Sequence, residues 1–220
     1  ISISLVTALY LSEGAVRLYQ TFQLQEELFM EVDSRSKIEV LNDFITSGID
    51  AVPSVSPGNL LEVDEKFLPL SGVAKVTTVS ANETGKRMIY QSDRYGFNNP
   101  DSEWDATSVE WLLTGDSFTE GVAVQPGEDI AGQIRKLTQE NVINLGRAGN
   151  GPLRELAEIS EYAFQIEPKK VLWIYYEAND LIYDLRIGKS SAMLMKYLDD
   201  GFSQNPVSYT HLTLPTTPYV

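Results

Sequence analysis

The chain contains no cysteine and a single histidine, His211, among its 220 residues. The first absence excludes disulfides, thiolate metal sites and cysteine nucleophiles. The second excludes the multi-histidine metal centres, so neither a metal nor a cofactor is expected. Positive charge is also scarce: 17 Lys and Arg against 31 Asp and Glu give a formal net charge of −14. Such a surface repels phosphate backbones and anionic lipid, which makes nucleic acid a poor partner. A run long enough to cross a bilayer is missing too, because the apolar stretch Ile1 to Leu11 falls short of the roughly 20 residues needed. That stretch has two readings, the end of a longer membrane anchor or signal segment, or a helix packed on the domain. Its apolar character on all sides favours the anchor, and with it a membrane-anchored, extracytoplasmic protein.

What is present is the composition of a globular chain, 43% hydrophobic, which is enough for one ordinary domain with a sizeable core. Ser12 to Phe44 has helical spacing with many charges, so residues 1–44 read as a helical segment. Ile45 to Pro57 reads as a loop, and residues 45–104 as an irregular lead-in with short β runs at Val73 to Val79 and Arg87 to Tyr90. From residue 105 the texture becomes regular. Apolar strands are expected at Val109 to Leu113, Val142 to Leu145 and Val171 to Tyr176, with helices at Glu128 to Leu137 and Leu153 to Phe164 between them. Strand, loop and helix in repetition predict a parallel sheet covered by helices, an α/β fold. Ligands of such sheets bind beyond the carboxyl ends of the strands.

Three polar motifs fall at those ends. Thr114-Gly115-Asp116-Ser117 follows the first strand and would present a serine hydroxyl at the open edge, the geometry an acyl-transfer nucleophile needs. Gly146 to Gly151 follows the second, where a bare backbone N–H can approach a substrate. Glu177-Ala178-Asn179-Asp180 follows the third, and Asn179 would supply an uncharged side-chain donor. Each motif taken alone is equally a capped or Gly-rich turn. Their order, one per strand end, is what favours chemistry.

Gly115-Asp116-Ser117 with Phe118, the glycine loop and Glu177 to Asp180 resemble the first three blocks of the SGNH (GDSL-like) serine hydrolases. The resemblance covers roughly Ser92 to Asn205, and Asp93 to Pro100 is similar to the lead-in of membrane-associated bacterial members. It implies a flavodoxin-like three-layer α/β/α fold, here partial and preceded by a helical and irregular β lead-in. It also implies Ser117 as nucleophile, with an oxyanion hole formed by the backbone N–H groups of Ser117 and Gly149 and the Asn179 side chain. Gly115, Asp116 and Asp180 would support them. The implied activity is ester hydrolysis on a small-molecule or carbohydrate ester; the alternatives are an O-acyltransferase on the same scaffold or a non-catalytic carbohydrate-binding module.

Two departures stand out. Glu177 occupies a position that is Gly in the family, so this loop is expected to be stiffer or differently shaped. The closing Asp-x-x-His block is missing, since Ser208 stands three residues before His211. Residues 206–220, uncharged and rich in Thr and Pro, resemble translated sequencing-adapter read-through rather than native protein. The hydrolase domain of residues 105–205 is accordingly expected to be partial, truncated before its catalytic base and inactive as written.

Overall fold

The computed structural model describes residues 10–19, 32–56 and 67–206. The apolar start at residues 1–9 and the Thr- and Pro-rich stretch 207–220, His211 included, lie outside the described residues. The chain divides into two compact units, Ile1–Ser34 and Arg35–Val220. In the first, a helix over residues 10–19 (α1) is exposed throughout and carries an Arg17–Glu13 ion pair of 2.8 Å one turn apart. Among the described residues no helix is long and apolar enough to cross a membrane.

The second unit is mixed α/β. It opens on α2 (Lys37–Thr46), whose start is fixed by a capping box: Glu39 N–H donates to Ser36 Oγ, and Ser36 N–H donates to the Glu39 carboxylate. The helical pattern read continuously from Ser12 to Phe44 is therefore interrupted, because residues 32–36 are not helical and α2 begins at this box.

A small three-stranded sheet follows, in the order β1 (Ala51–Pro53), β2 (Thr77–Val79), β3 (Ile89–Gln91). β1 runs parallel to β2, and β3 antiparallel to it. β1 lies in the stretch expected to be a loop. Three residues containing a proline have little strand propensity, but an edge strand tolerates Pro53, and β2 supplies the pairing from 26 residues further on.

The second sheet holds the three strands expected from the sequence. They are β4 (Trp111–Gly115), β5 (Val142–Asn144) and β6 (Lys170–Ile174), all parallel, in the order β5-β4-β6. Successive residues of β4 point to opposite faces. Leu112 packs with Ile143, Leu145, Leu153 and Ala157 in the main core, whereas Leu113 packs with Val142, Ala131 and Ile134. The helices α4 (Ile130–Thr138) and α5 (Pro152–Tyr162) thus cover opposite faces of the sheet. β6 is one of the two outer strands, and its Val171 and Trp173 are about half exposed.

The lead-in is built into this core. Leu68, Leu70 and Phe97 are buried in the same cluster as Leu112. Asp93 is a fully buried carboxylate that accepts from the N–H of Tyr95 and Phe97, Asn99 Nδ2 and Trp104 Nε1. Asn99 then clasps the backbone of β5, donating to Asn144 O at 2.9 Å and accepting from Asn144 N at 2.8 Å. Glu161 on α5 accepts from Tyr197 Oη, Ser203 Oγ and Gln204 N, and the Gln204 side chain pairs with the backbone of Leu68.

Candidate functional site

Ser117 opens the short helix α3 (Ser117–Glu120) directly after β4, the middle strand. The turn is made by Asp116, whose buried carboxylate accepts the Phe118 N–H at 2.9 Å and so caps α3. Ser117 itself is half-buried, and its Oγ has no hydrogen-bond partner among the described residues. Gly115, just before, offers its carbonyl to two groups of the glycine loop, Arg147 N at 3.2 Å and Asn150 Nδ2 at 3.3 Å. The first motif and the second are joined at that atom.

The glycine loop is held from two sides by buried carboxylates. Glu120, at the end of α3, accepts from Ala148 N at 2.6 Å and from Tyr90 Oη at 3.3 Å. Glu158, on α5, accepts from Asn150 Nδ2 with both oxygens, at 3.0 and 2.8 Å. Burial pushes both carboxyls above the usual carboxylate range; nearby Arg147 opposes the rise in each case, joined by Arg154 at Glu158. Between the two anchored residues lies Gly149, exposed and at φ +84°, a left-handed conformation that a side chain would disfavour. Its N–H makes no hydrogen bond to the backbone or side chains of the described residues.

The third motif leaves β6 in a turn whose shape is set by Asp180. That buried residue accepts the Tyr176 N–H at 2.7 Å, closing residues 176–180 into a loop. Glu177 does not take a positive φ, so the backbone accommodates a residue other than glycine there without strain. A π-helical turn, Asp180–Asp184, follows and runs into α6 (Leu185–Ser190). Asn179 is half-buried at its start and donates Nδ2–H to Asp184 at 2.6 Å.

Two contacts tie this third motif to the others. The Phe118 and Tyr176 rings lie 5.0 Å apart between centroids, next to Ser117 on one side and the Asn179 turn on the other. Gly151 lies so close to Asp184 that a Cβ there would stand 2.5 Å from the Asp184 Cβ, so only glycine permits this approach. Gly149, Gly151, Arg154 and Asp184 line one small cavity with Ile187, Gly188 and Leu194.

The local electrostatics are dominated by carboxylates. Glu155, buried on α5 and bonded to Trp173 Nε1 at 2.7 Å, is pushed up to about 7, first by burial and then by Asp180, Asp116 and Asp184. Burial followed by the charge of Asp116 likewise raises Asp180 and Asp184. No group of acidic or histidine side chains among the described residues is arranged to hold a metal ion.

The sequence reading named Ser117, Gly149, Asn179, Gly115, Asp116 and Asp180. It did not name Glu120, Asn150, Glu158 or Asp184, which hold the loops in place. Only Glu120 carried a local signal, as the last residue of Gly-Asp-Ser-Phe-Thr-Glu. Asn150 lies in the glycine loop itself, where the glycines draw attention, and Glu158 and Asp184 lie in helical stretches whose apolar spacing draws attention to their neighbours. Comparison with known protein families, with curated proteins and with solved structures finds no match to this chain.

Proposed function

We propose that the chain carries the nucleophile and oxyanion half of a serine ester hydrolase of the SGNH type, on a partial flavodoxin-like three-layer scaffold. Ser117 Oγ would attack an ester carbonyl, and its proton would pass through a base to the leaving alcohol. Water would then release the acid from the acyl-enzyme. The N–H groups of Ser117 and Gly149 and the amide of Asn179 would face the developing oxyanion.

One observation carries the reading. A serine hydroxyl and a glycine N–H, neither with a hydrogen-bond partner among the described residues, follow the middle strand of a parallel sheet and one of its flanking strands, and an anchored asparagine amide follows the other. Capped turns alone explain each motif, but not three of them interlocked through Gly115, Asp184 and the Phe118–Tyr176 pair.

The missing part is the base. The sole histidine, His211, has Ser208 where the family has aspartate, and without a base a serine hydroxyl loses most of its reactivity, on the order of 10⁶-fold in serine hydrolases. The chain as written is therefore expected to be inactive or nearly so. This same observation favours a second reading, a non-catalytic carbohydrate-binding module. The test is a short activated ester and a fluorophosphonate probe, applied to the chain, to Ser117→Ala and to His211→Ala. Slow labelling confined to Ser117 supports the esterase reading. No labelling at Ser117 under forcing conditions favours the binding module, and fast turnover abolished by His211→Ala would show that the 206–220 stretch supplies the base.

A further inference from the structure

Asn179 and Asp184 are five residues apart, a spacing at which an α-helix would point them in different directions. Here the turn between them is π-helical, and Asn179 O accepts from both Tyr183 N at 2.8 Å and Asp184 N at 3.1 Å. The i→i+5 closure brings Asp184 back over Asn179, and π turns of this kind are frequent at functional sites. Asp184 Oδ2 then takes one N–H of the Asn179 amide at 2.6 Å, a short charge-assisted bond. Because a carboxylate only accepts, it also decides which end of the amide faces it. Among the described residues Asn179 Oδ1 is buried with no partner, and the Asp184 bond is the one hydrogen bond the amide nitrogen makes, which leaves its second N–H for another acceptor.

Asp184 reaches the glycine loop as well. It packs against Gly151 and shares a cavity with Gly149 and Arg154. A residue that grips the Asn179 amide with its carboxylate and the Gly149 loop with its Cβ fixes two donors relative to each other.

We propose that Asp184 is the positioning residue of the oxyanion site, acting through the Asn179 amide; this rests on the ester-hydrolase reading above. It selects the amide orientation and holds one N–H so that the other points at the substrate oxygen. Preorganised donors of this kind are worth most when they need not reorient during reaction. Asp184 itself does not touch the reacting atoms.

Phenylboronic acid, which forms a tetrahedral adduct on a serine hydroxyl, tests this without a catalytic base. It is titrated into the chain and into Ser117→Ala, Asn179→Ala, Asp184→Ala and Asp184→Asn, with the Asn179 side-chain amide followed by ¹⁵N NMR. Both Asp184 variants remove the same negative charge, but Asp184→Asn keeps a side chain of the same size with an oxygen able to accept from the Asn179 amide. The expected result is loss of binding in Ser117→Ala, roughly tenfold weaker binding in Asn179→Ala and Asp184→Ala, and recovery to within about twofold in Asp184→Asn. The strongly shifted Asn179 amide proton should vanish in Asp184→Ala and persist in Asp184→Asn. If Asp184→Ala and Asp184→Asn bind alike while Asn179→Ala is weakened, the positioning role is wrong and the hydrolase reading survives. If Ser117→Ala binds as well as the unaltered chain, the hydrolase reading fails, and this inference with it.

Discussion

The single Nδ2 of Asn150 lies 3.0 and 2.8 Å from the two oxygens of Glu158, and 3.3 Å from the carbonyl of Gly115. One amide therefore connects the strand that ends in the candidate nucleophile, the glycine loop and the helix that covers the sheet. Glu158 is fully buried, and a buried carboxyl stripped of its donors is costly.

Asn150→Ala should consequently destabilise the domain by about 2–3 kcal/mol, the usual cost of orphaning a buried group bonded in this way. Urea unfolding measures it. A loss below about 0.5 kcal/mol would mean that Glu158 finds another partner, with Arg154 and Arg147, whose charges already act on it, the candidates.

Glu120 holds the other side of the same loop through Ala148 N. In Glu120→Ala the Ala148 N–H and Tyr90 Oη both lose their acceptor, so hydrogen exchange across residues 146–151 should accelerate by at least tenfold. Glu120→Gln keeps an acceptor for Ala148 N and should preserve most of the protection. Equal exchange in the two variants would mean that the acceptor at Glu120 does not set the loop's rigidity.

Glu155 makes stability depend on pH. Its folded-state value of about 7 stands above the unfolded 4.5, so its contribution to stability is fully present below about pH 4.5 and is lost as the pH rises through about 7. Glu155→Gln keeps an acceptor for Trp173 Nε1 and carries no charge to desolvate. Above pH 7 it should be more stable than the unaltered chain by about 1–3 kcal/mol, with the difference fading toward pH 4.5. Thermal melts at pH 5 and pH 8 check this, and a pH-independent difference would rule out titration of Glu155 as the cause.

Asn179→Ala should lower kcat by roughly 10²- to 10³-fold and leave KM nearly unchanged, in a version of the protein supplied with a working base. An oxyanion donor acts mainly in the transition state, so a change in KM alone would make Asn179 a ground-state binding residue. In the chain as written, the rate of phosphonylation at Ser117 should fall in the same direction.

Much of the second sheet was legible because its signals are local. Apolar runs ending in Gly-Asp-Ser, in a Gly-rich loop and in Asn-Asp predict strand ends at Gly115, Asn144 and Ile174 to within a few residues. The capping box of Ser36 and Glu39 is just as local, yet the charged helical spacing around it reads as one segment from Ser12 to Phe44 and hides the start of α2. β1 was read as loop, because its pairing partner β2 lies 26 residues away and three residues of Ala-Val-Pro bear no strand signature of their own. The lead-in looked irregular for a related reason. Its order comes from Asp93 gathering four donors and from Asn99 clasping Asn144, not from any repeating pattern.

The sequence by itself determined which residue types stand at the strand ends, that the strands alternate with helices, and that neither a thiolate nor a histidine cluster takes part. Side-chain periods of two and 3.6 residues act over a few neighbours, so they can be read in the order of residues. Only the tertiary structure decided that Glu120, Glu158 and Asp184 grip the loops, that burial pushes Glu155 up to about 7, and that the Asn179 amide is bonded to a carboxylate five positions on. Desolvation and hydrogen-bond partnership depend on what distant segments bring to within about 3 Å, and no local pattern of residues encodes that distance.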